Sequence, residues 1–199
     1  MISAIVLGAG LSQRMGAFKQ LLPYGDHTVI EQVVSVLLAC AIDQVVVVTG
    51  HRHPEVEQVL QKWNVRVSFN PNYIDGMLTS LQYGWRVVPR DTTAVMHVLG
   101  DQPQIEKPVV AQLIAHYRAQ NAGIVVPVFG GRRGHPILLS TRYRDEILAL
   151  GKDATMRDIM RGHAHEVREV AVATDSILRD MDTWSEYERE ISFRQAVVA

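Results

Sequence analysis

Short apolar runs rich in β-branched residues alternate along the chain with longer stretches in which apolar residues recur every three or four positions. The first run, Ala4-Ile5-Val6-Leu7, has no polar alternation, which suits a strand covered on both faces. Runs at 45–48, 65–69, 94–99 and 124–128 follow in the same style. Between them the helical period predicts helices over 29–40, 54–63, 79–88 and 108–120; Val109, Leu113, Ile114 and Tyr117 make one face of the last. Thr28 followed by Glu31 forms a capping-box pattern at the first helix start, and Pro108 marks another start. After residue 130 the pattern changes to a Gly/Arg-rich turn (130–134), a short strand (136–139), two short helices, a strand (167–172) and a final helix near 185–195. There is no internal repeat, low-complexity tract or linker, so the expectation is one domain over 1–199 whose last part extends or covers the same sheet. Its architecture is expected to be an α/β fold, a three-layer αβα sandwich with a mostly parallel sheet. Ligands bind such sheets beyond the carboxyl ends of the strands, so the loops there are the places to look.

Composition narrows the class. A chain of 199 residues with 47% hydrophobic residues can bury a substantial core without staples. Lys+Arg 20 against Asp+Glu 21 leaves a net charge of -1, which argues against a nucleic-acid binder relying on a general basic field. Cys40 is the single cysteine, placed within an apolar run and mid-helix, so neither a disulfide nor a reactive thiol is expected. No run of 18 apolar residues and no basic leader precede the first strand, so no membrane association and a cytoplasmic location are expected.

The loop after the first strand reads Gly8-Ala9-Gly10-Leu11-Ser12-Gln13-Arg14-Met15-Gly16-Ala17-Phe18-Lys19. Gly8 and Gly10 permit close backbone approach and positive φ, so successive N–H groups can turn toward one anion, with Arg14 and Lys19 as countercharge. A Walker loop is absent because Gly10 is not followed by its pattern. Gln13 stands where a dinucleotide fingerprint needs a third small residue, and the run 45–48 leads into Thr49-Gly50-His51 rather than a ribose acid, which disfavours an NAD enzyme. Two glycines could also simply make a turn, but a long loop with two cations and three glycines costs ordering entropy unless it has a use.

Leu7-Gly8-Ala9-Gly10-Leu11-Ser12-Gln13-Arg14-Met15-Gly16 with Lys19 resembles the nucleotidyltransferase signature Leu-Ala-Ala-Gly-x-Ser-x-Arg-Met-Gly-x-x-Lys, departing at Gly8. More narrowly it is similar to the MobA-like molybdenum cofactor cytidylyltransferases. The resemblance implies a Rossmann-like sheet of the nucleotidyltransferase type and a loop that wraps the nucleoside triphosphate, with Arg14 meeting the β and γ phosphates and Lys19 lying against the phosphate under attack.

Asp101, fixed between Gly100 and Pro103 at a strand end, is a rigid oxygen ligand suited to Mg2+, although an aspartate in a turn is common. Gly100-Asp101-Gln102-Pro103 resembles the family's metal-binding segment. Alternation in Asp180-Met181-Asp182-Thr183 puts both aspartates on one face, or Asp182 or Thr183 caps the last helix. This segment resembles the family's Asp-Ile-Asp-Thr-Pro-Glu-Asp, which assigns Asp182 as second metal ligand with Asp180 in reserve; Trp184-Ser185-Glu186 departs from that pattern.

Asn70 begins a turn, Gly76 allows approach to a flat ring, and Thr79 and Ser80 offer hydroxyls at a helix start. The stretch is similar to the family segment beside the nucleobase, and Ala9 is the residue type of cytidylyltransferases where guanylyltransferases usually carry Gly-Gly. The nucleotide set is therefore Leu7, Gly8, Ala9, Gly10, Ser12, Arg14, Lys19, Asn70, Gly76 and Ser80, with Lys19, Arg14 and Asp101 catalytic. The turn holding Arg132, Arg133, Gly134, His135 and Pro136 could be a solvated hairpin, but Gly-His-Pro resembles the family's pterin pocket and arginine suits a monophosphate, which assigns Arg133, Gly134, His135 and Pro136 to the second substrate. Asp153 could cap a helix that presents Arg157 to an anion. His51-x-His53 and His163-x-His165 read as solvated loop histidines rather than metal ligands, and no Gly-x-Ser-x-Gly elbow occurs.

By that resemblance the activity is transfer of CMP from CTP to the terminal phosphate of molybdenum-loaded molybdopterin, with Mg2+ as cofactor and a molybdenum hydroxylase receiving the product. The alternatives are a relative using GTP or a sugar phosphate, and a non-catalytic chaperone that binds and delivers the cofactor.

Overall fold

The structure, a computed structural model, describes residues 1–120 and 122–198. In chain order it contains β1 (Ile2–Gly8), a two-stranded ribbon of β2 (Pro23–Tyr24) and β3 (His27–Thr28), α1 (Val29–Leu38), β4 (Gln44–Thr49), α2 (His53–Leu60), β5 (Arg66–Phe69) and α3 (Met77–Val87). Then follow β6 (Ala94–Leu99), α4 (Lys107–Gln120), β7 (Ile124–Phe129), β8 (Arg132–Arg133), β9 (Ile137–Ser140), α5 (Arg144–Ala149), α6 (Met156–Gly162), β10 (Val167–Ala171) and α7 (Trp184–Val198). The main sheet runs β10-β7-β9-β6-β1-β4-β5, with β8 paired to β7. It is parallel except at β9, antiparallel to both neighbours, and at the hairpin strand β8.

Successive residues of the unalternating runs serve opposite cores. Ala4 and Val6 point with Val45, Val47, Met96 and Val98 toward α1, α2 and α4, whereas Ile5, Val46, Val48 and Val95 point toward α3, α5 and α6. A strand with period two and two covered faces must be apolar throughout, and this produces the three-layer sandwich expected from sequence. β10 joins the sheet at its outer edge, and α7 packs Tyr187 and Ile191 near Tyr24, Val29 and Met181.

Several boundaries differ from the periodicity. α1 ends at Leu38, so Cys40 lies just beyond the helix rather than within it; its thiol donates to the Val36 carbonyl at 3.1 Å, and burial pushes its pKa up. α3 begins at Met77 with Gly76 as its cap, so Thr79 and Ser80 lie in the first turn. α6 is capped by a Thr155–Asp158 box rather than by Asp153. α2 stops at Leu60, freeing Trp63 to donate its indole N–H to Glu31 at 3.2 Å.

That last contact belongs to the capping box predicted at Thr28. The Glu31 carboxylate, 4% exposed, accepts from the Thr28 N–H at 2.8 Å and pairs with Lys62 at 2.7 Å. Burial alone would raise its pKa; Lys62, Thr28 and Trp63 overcome that and hold it at about 2. A depressed carboxylate contributes stability that is full above the unfolded pKa and is lost as pH falls toward the folded one. Glu31→Gln is therefore expected to lower unfolding free energy by about 3 kcal/mol at pH 7, with the difference from the parent shrinking between pH 4.5 and about 2, checked by urea melts across that range.

Candidate active site

The carboxyl ends of β1, β4 and β6 open onto one edge of the sheet, as parallel pairing requires. A cavity of about 500 Å3 lies there, lined by Leu7, Ala9, Gly10, Leu11, Ser12, Arg14, Met15, Lys19 and Gln20 from the first loop, by Tyr73, Ile74, Gly76, Met77 and Ser80, by Leu99 and Asp101, and by Asp180 and Asp182. Gly100 makes this close approach possible: a Cβ there would stand 2.6 Å from the Leu7 carbonyl oxygen.

The positive φ values of the first loop fall at Ser12 (51°) and Gly16 (62°), not at Gly8 or Gly10 as expected. Gly8 is the last residue of β1, packed under the loop near Ile30 rather than facing the cavity. Ser12 organises the loop instead. Its carbonyl accepts from the Met15 N–H at 3.2 Å, while its hydroxyl donates to Gln20 and accepts from the Lys19 N–H, each at 3.2 Å. These bonds close the loop around a 3-10 turn at Gln13–Met15 and deliver Lys19 inward.

Lys19 is 8% exposed, and its ammonium lies between two carboxylates. It donates to Asp101 and, at 2.9 Å, to Asp182. Arg14 donates to the other oxygen of Asp182 at 2.8 Å from a largely exposed position. Burial would lower the lysine pKa, but Asp101 and Asp182 more than offset it and hold the ammonium above its ordinary value. The hydrogen bond from Lys19 holds Asp182 below the usual carboxylate range, assisted by Arg14. The site thus keeps two cations and two anions within bonding distance, an arrangement suited to a polyanionic ligand and a divalent ion.

In the last acidic segment Asp180 and Asp182 both line the cavity, and the residues after them cap the helix. The Glu186 carboxylate accepts from the Asp182 and Thr183 N–H groups at 2.9 Å each, so Thr183 and Glu186 cap α7, and the Asp182 side chain is left to face Lys19. Trp184, in the part that departs from the family pattern, donates its indole N–H to the Met15 carbonyl at 2.8 Å and so ties α7 to the first loop. Asp180 accepts from Gln102 at 2.7 Å.

Asn70 is buried behind the cavity rather than lining it: its amide nitrogen donates to Ser80 at 2.9 Å and Thr79 at 3.1 Å, and its oxygen accepts from the Asn72 N–H. It therefore orients the loop that carries Gly76. Tyr73, Ile74 and Met77 are cavity residues that sequence reasoning missed; apolar side chains in a turn were the available signal, since Ile74 is 72% exposed and Met77 66%.

The 130–136 turn is a true hairpin, with positive φ at Gly130 and Gly131. Arg133 turns away from the cavity to pair with Glu169 of β10 at 2.7 Å, and Gly134 and Pro136 are buried. His135 is half-buried; burial lowers its pKa, with the charges of Asp180 and Asp101 opposing. Arg133, assigned from sequence to the second substrate, is thus not among the residues lining the cavity. Three of the four histidines read as solvated make structural contacts: His53 bonds the Thr49 hydroxyl at 2.8 Å, His51 packs between Phe18 and Tyr73, and His163 bonds Glu146 at 2.7 Å, whereas His165 is exposed as expected. Among the described residues no three His, Cys, Asp or Glu side chains form a metal cluster, and no helix is long and apolar enough to cross a membrane.

The sequence pattern of the MobA-like NTP transferase domain matches residues 4–168. The chain is 29% identical over 184 residues to the molybdenum cofactor cytidylyltransferase of Escherichia coli, covering 92% of this chain and 91% of that one. It is 30% identical over 152 residues to a probable molybdenum cofactor guanylyltransferase of Bacillus cereus (74% and 72%), and 25% identical over 190 residues to the nicotine blue oxidoreductase of Paenarthrobacter nicotinovorans (92% of each). Among solved structures, a nucleotidyl transferase from Methanothermobacter thermautotroptrophicus superposes with a TM-score of 0.87 at 27% identity over 99% of both chains. The manganese complex of Rv0371C from Mycobacterium tuberculosis superposes with a TM-score of 0.81 at 28% identity, covering 96% and 98%.

Proposed function

Because the chain belongs to the MobA-like NTP transferase family, we propose that this nucleotidyltransferase moves CMP from CTP to the terminal phosphate of molybdenum-loaded molybdopterin, releasing pyrophosphate. The observation that carries this reading is Lys19 lying between Asp101 and Asp182 beneath the glycine loop, in a cavity of about 500 Å3.

In the proposed step an oxygen of the acceptor phosphate bonds to the α-phosphorus of CTP, the bond from that phosphorus to the bridging oxygen breaks, and pyrophosphate leaves. A phosphate monoester is largely ionised near neutral pH, its second pKa being about 6, so no strong general base is needed. Lys19, kept protonated by its carboxylates, is assigned to the α-phosphate, and Arg14 with the loop N–H groups to the β and γ phosphates. Asp101 and Asp182 supply hard oxygen donors from separate segments that converge on one cation, which fits Mg2+ or Mn2+, ions that take one or two carboxylates and fill the remaining positions with water and phosphate. Such an ion would neutralise phosphate charge and align the leaving group. The acceptor is assigned to the Gly134–His135–Pro136 part of the turn, on the family resemblance and on the electrostatic pull of Asp180 and Asp101 on His135, Arg133 being held outside the cavity by Glu169.

The choice of base rests on Ala9 and on the cytidylyltransferase relative; the guanylyltransferase relative makes GTP the specific rival. A panel of CTP, GTP, ATP and UTP, with molybdenum-loaded molybdopterin and sugar phosphates as acceptors, separates them by pyrophosphate release. CTP is expected to be preferred by at least about tenfold in kcat/KM, since a base pocket that pairs polar edges rejects mismatched groups. Equal turnover with GTP would remove the base assignment, and turnover with a sugar phosphate alone would remove the acceptor.

A further inference from the structure

Two aspartates of the last acidic segment line the cavity, but their partners differ. Asp182 meets Lys19 and Arg14. Asp180 accepts a 2.7 Å hydrogen bond from the amide of Gln102, the residue directly after Asp101, whose side chain is 4% exposed. Gln104, also buried, donates its amide to the Arg179 carbonyl. The two segments that carry the acids, 101–104 and 179–182, are thus stitched to each other by two glutamines. Behind the second segment, Met181 is fully buried with Tyr24 and Val29, and Arg179 lies 3.4 Å from the Glu190 carboxylate of α7, itself 1% exposed.

We propose that Asp180 is a positioning residue: as the acceptor for Gln102 it sets the register that places Asp182 opposite Asp101, and its own carboxylate is not a metal ligand. The inference rests on the reading of Asp101 and Asp182 as the metal carboxylates.

An extended segment has period two, so a slip of one residue would turn Met181 and Arg179 into the cavity. The buried Met181 and the Glu190 carboxylate oppose that slip. A slip of two residues keeps the sidedness of the aspartates and would put Asp180 where Asp182 stands, but only by moving Arg179 into the buried place of Met181. The Gln102 bond adds a check at the acids themselves. It recognises an acceptor at one position only, and losing it leaves a buried amide donor without a partner.

The chemistry separates positioning from ligation. An asparagine at 180 keeps an oxygen that can accept from Gln102 but is a poor ligand for a hard cation, so Asp180→Asn should preserve what Asp180→Ala destroys. Mn2+ binding to the full chain without nucleotide, followed by the electron paramagnetic resonance of free Mn2+, reads this directly, with circular dichroism melts confirming that each variant folds. Asp101→Asn and Asp182→Asn are expected to lose Mn2+ binding, whereas Asp180→Asn stays within about threefold of the parent. Asp180→Ala and Gln102→Met each weaken binding about tenfold, as expected when a group orienting a metal ligand is lost. The double variant is no weaker than either single one, because both remove the same bond. Loss of binding in Asp180→Asn as complete as in Asp182→Asn would overturn the proposal, as would additive losses in the double variant. Unchanged Mn2+ binding in Asp101→Asn and Asp182→Asn would overturn the metal-site reading itself, which is a different result from a failure at Asp180.

Discussion

Lys19→Met lowers kcat for nucleotidyl transfer by about a thousandfold while KM for the nucleotide rises far less, in steady-state assays of pyrophosphate release. The lysine ammonium is nearly buried and held between two carboxylates, so its position is set before any ligand arrives. A preorganised cation is worth most where charge develops, on the oxygens of the phosphorus under attack, and least in the ground state, where Arg14 and the loop N–H groups already hold the triphosphate. Methionine keeps the length of the stem without the charge. The opposite split, with KM raised and kcat kept, would move Lys19 from the reacting phosphate to simple binding.

Asp101→Asn is expected to abolish transfer to a comparable extent, about a thousandfold, with little change in melting temperature. The substitution preserves shape, and Lys19 keeps Asp182 as a partner, so no buried charge is orphaned. What is lost is one of two carboxylates able to hold a divalent ion. The same variant discriminates against the rival in which the chain merely binds and delivers the cofactor, because delivery without chemistry would survive it. Retention of cofactor delivery together with unchanged nucleotide chemistry would remove Asp101 from the site.

The layers of the fold were legible because their cause is local. Ala4 to Leu7 is apolar without alternation since both faces of β1 are covered, and Thr28 with Glu31 marks a helix start through groups three residues apart. The ends of α1 and α2 were not legible, because Cys40 and Trp63 continue the apolar period past the last helical turn, and Trp63 is drawn to Glu31 by a tertiary contact. Antiparallel β9 was likewise invisible, since a buried strand reads the same in either direction.

The site divides along the same line. The first loop, Asp101 and Asp182 could be singled out from residue types and resemblance, yet their convergence on Lys19 Nζ joins positions 82 and 163 residues apart, which no spacing rule reaches. Gln102 passed unnoticed because an amide beside a proline reads as an ordinary turn residue. Asn70 was assigned to the base when its amide is occupied by Thr79 and Ser80. Arg133 was assigned to the second substrate on the resemblance of its turn, while hairpin geometry directs it to Glu169.

The most direct measurement incubates the protein with CTP, Mg2+ and molybdenum-loaded molybdopterin and reads the cofactor by mass spectrometry. The account predicts a cofactor heavier by one CMP unit, with one pyrophosphate released for each. A cofactor that stays bound at unchanged mass, with no pyrophosphate formed, would contradict it.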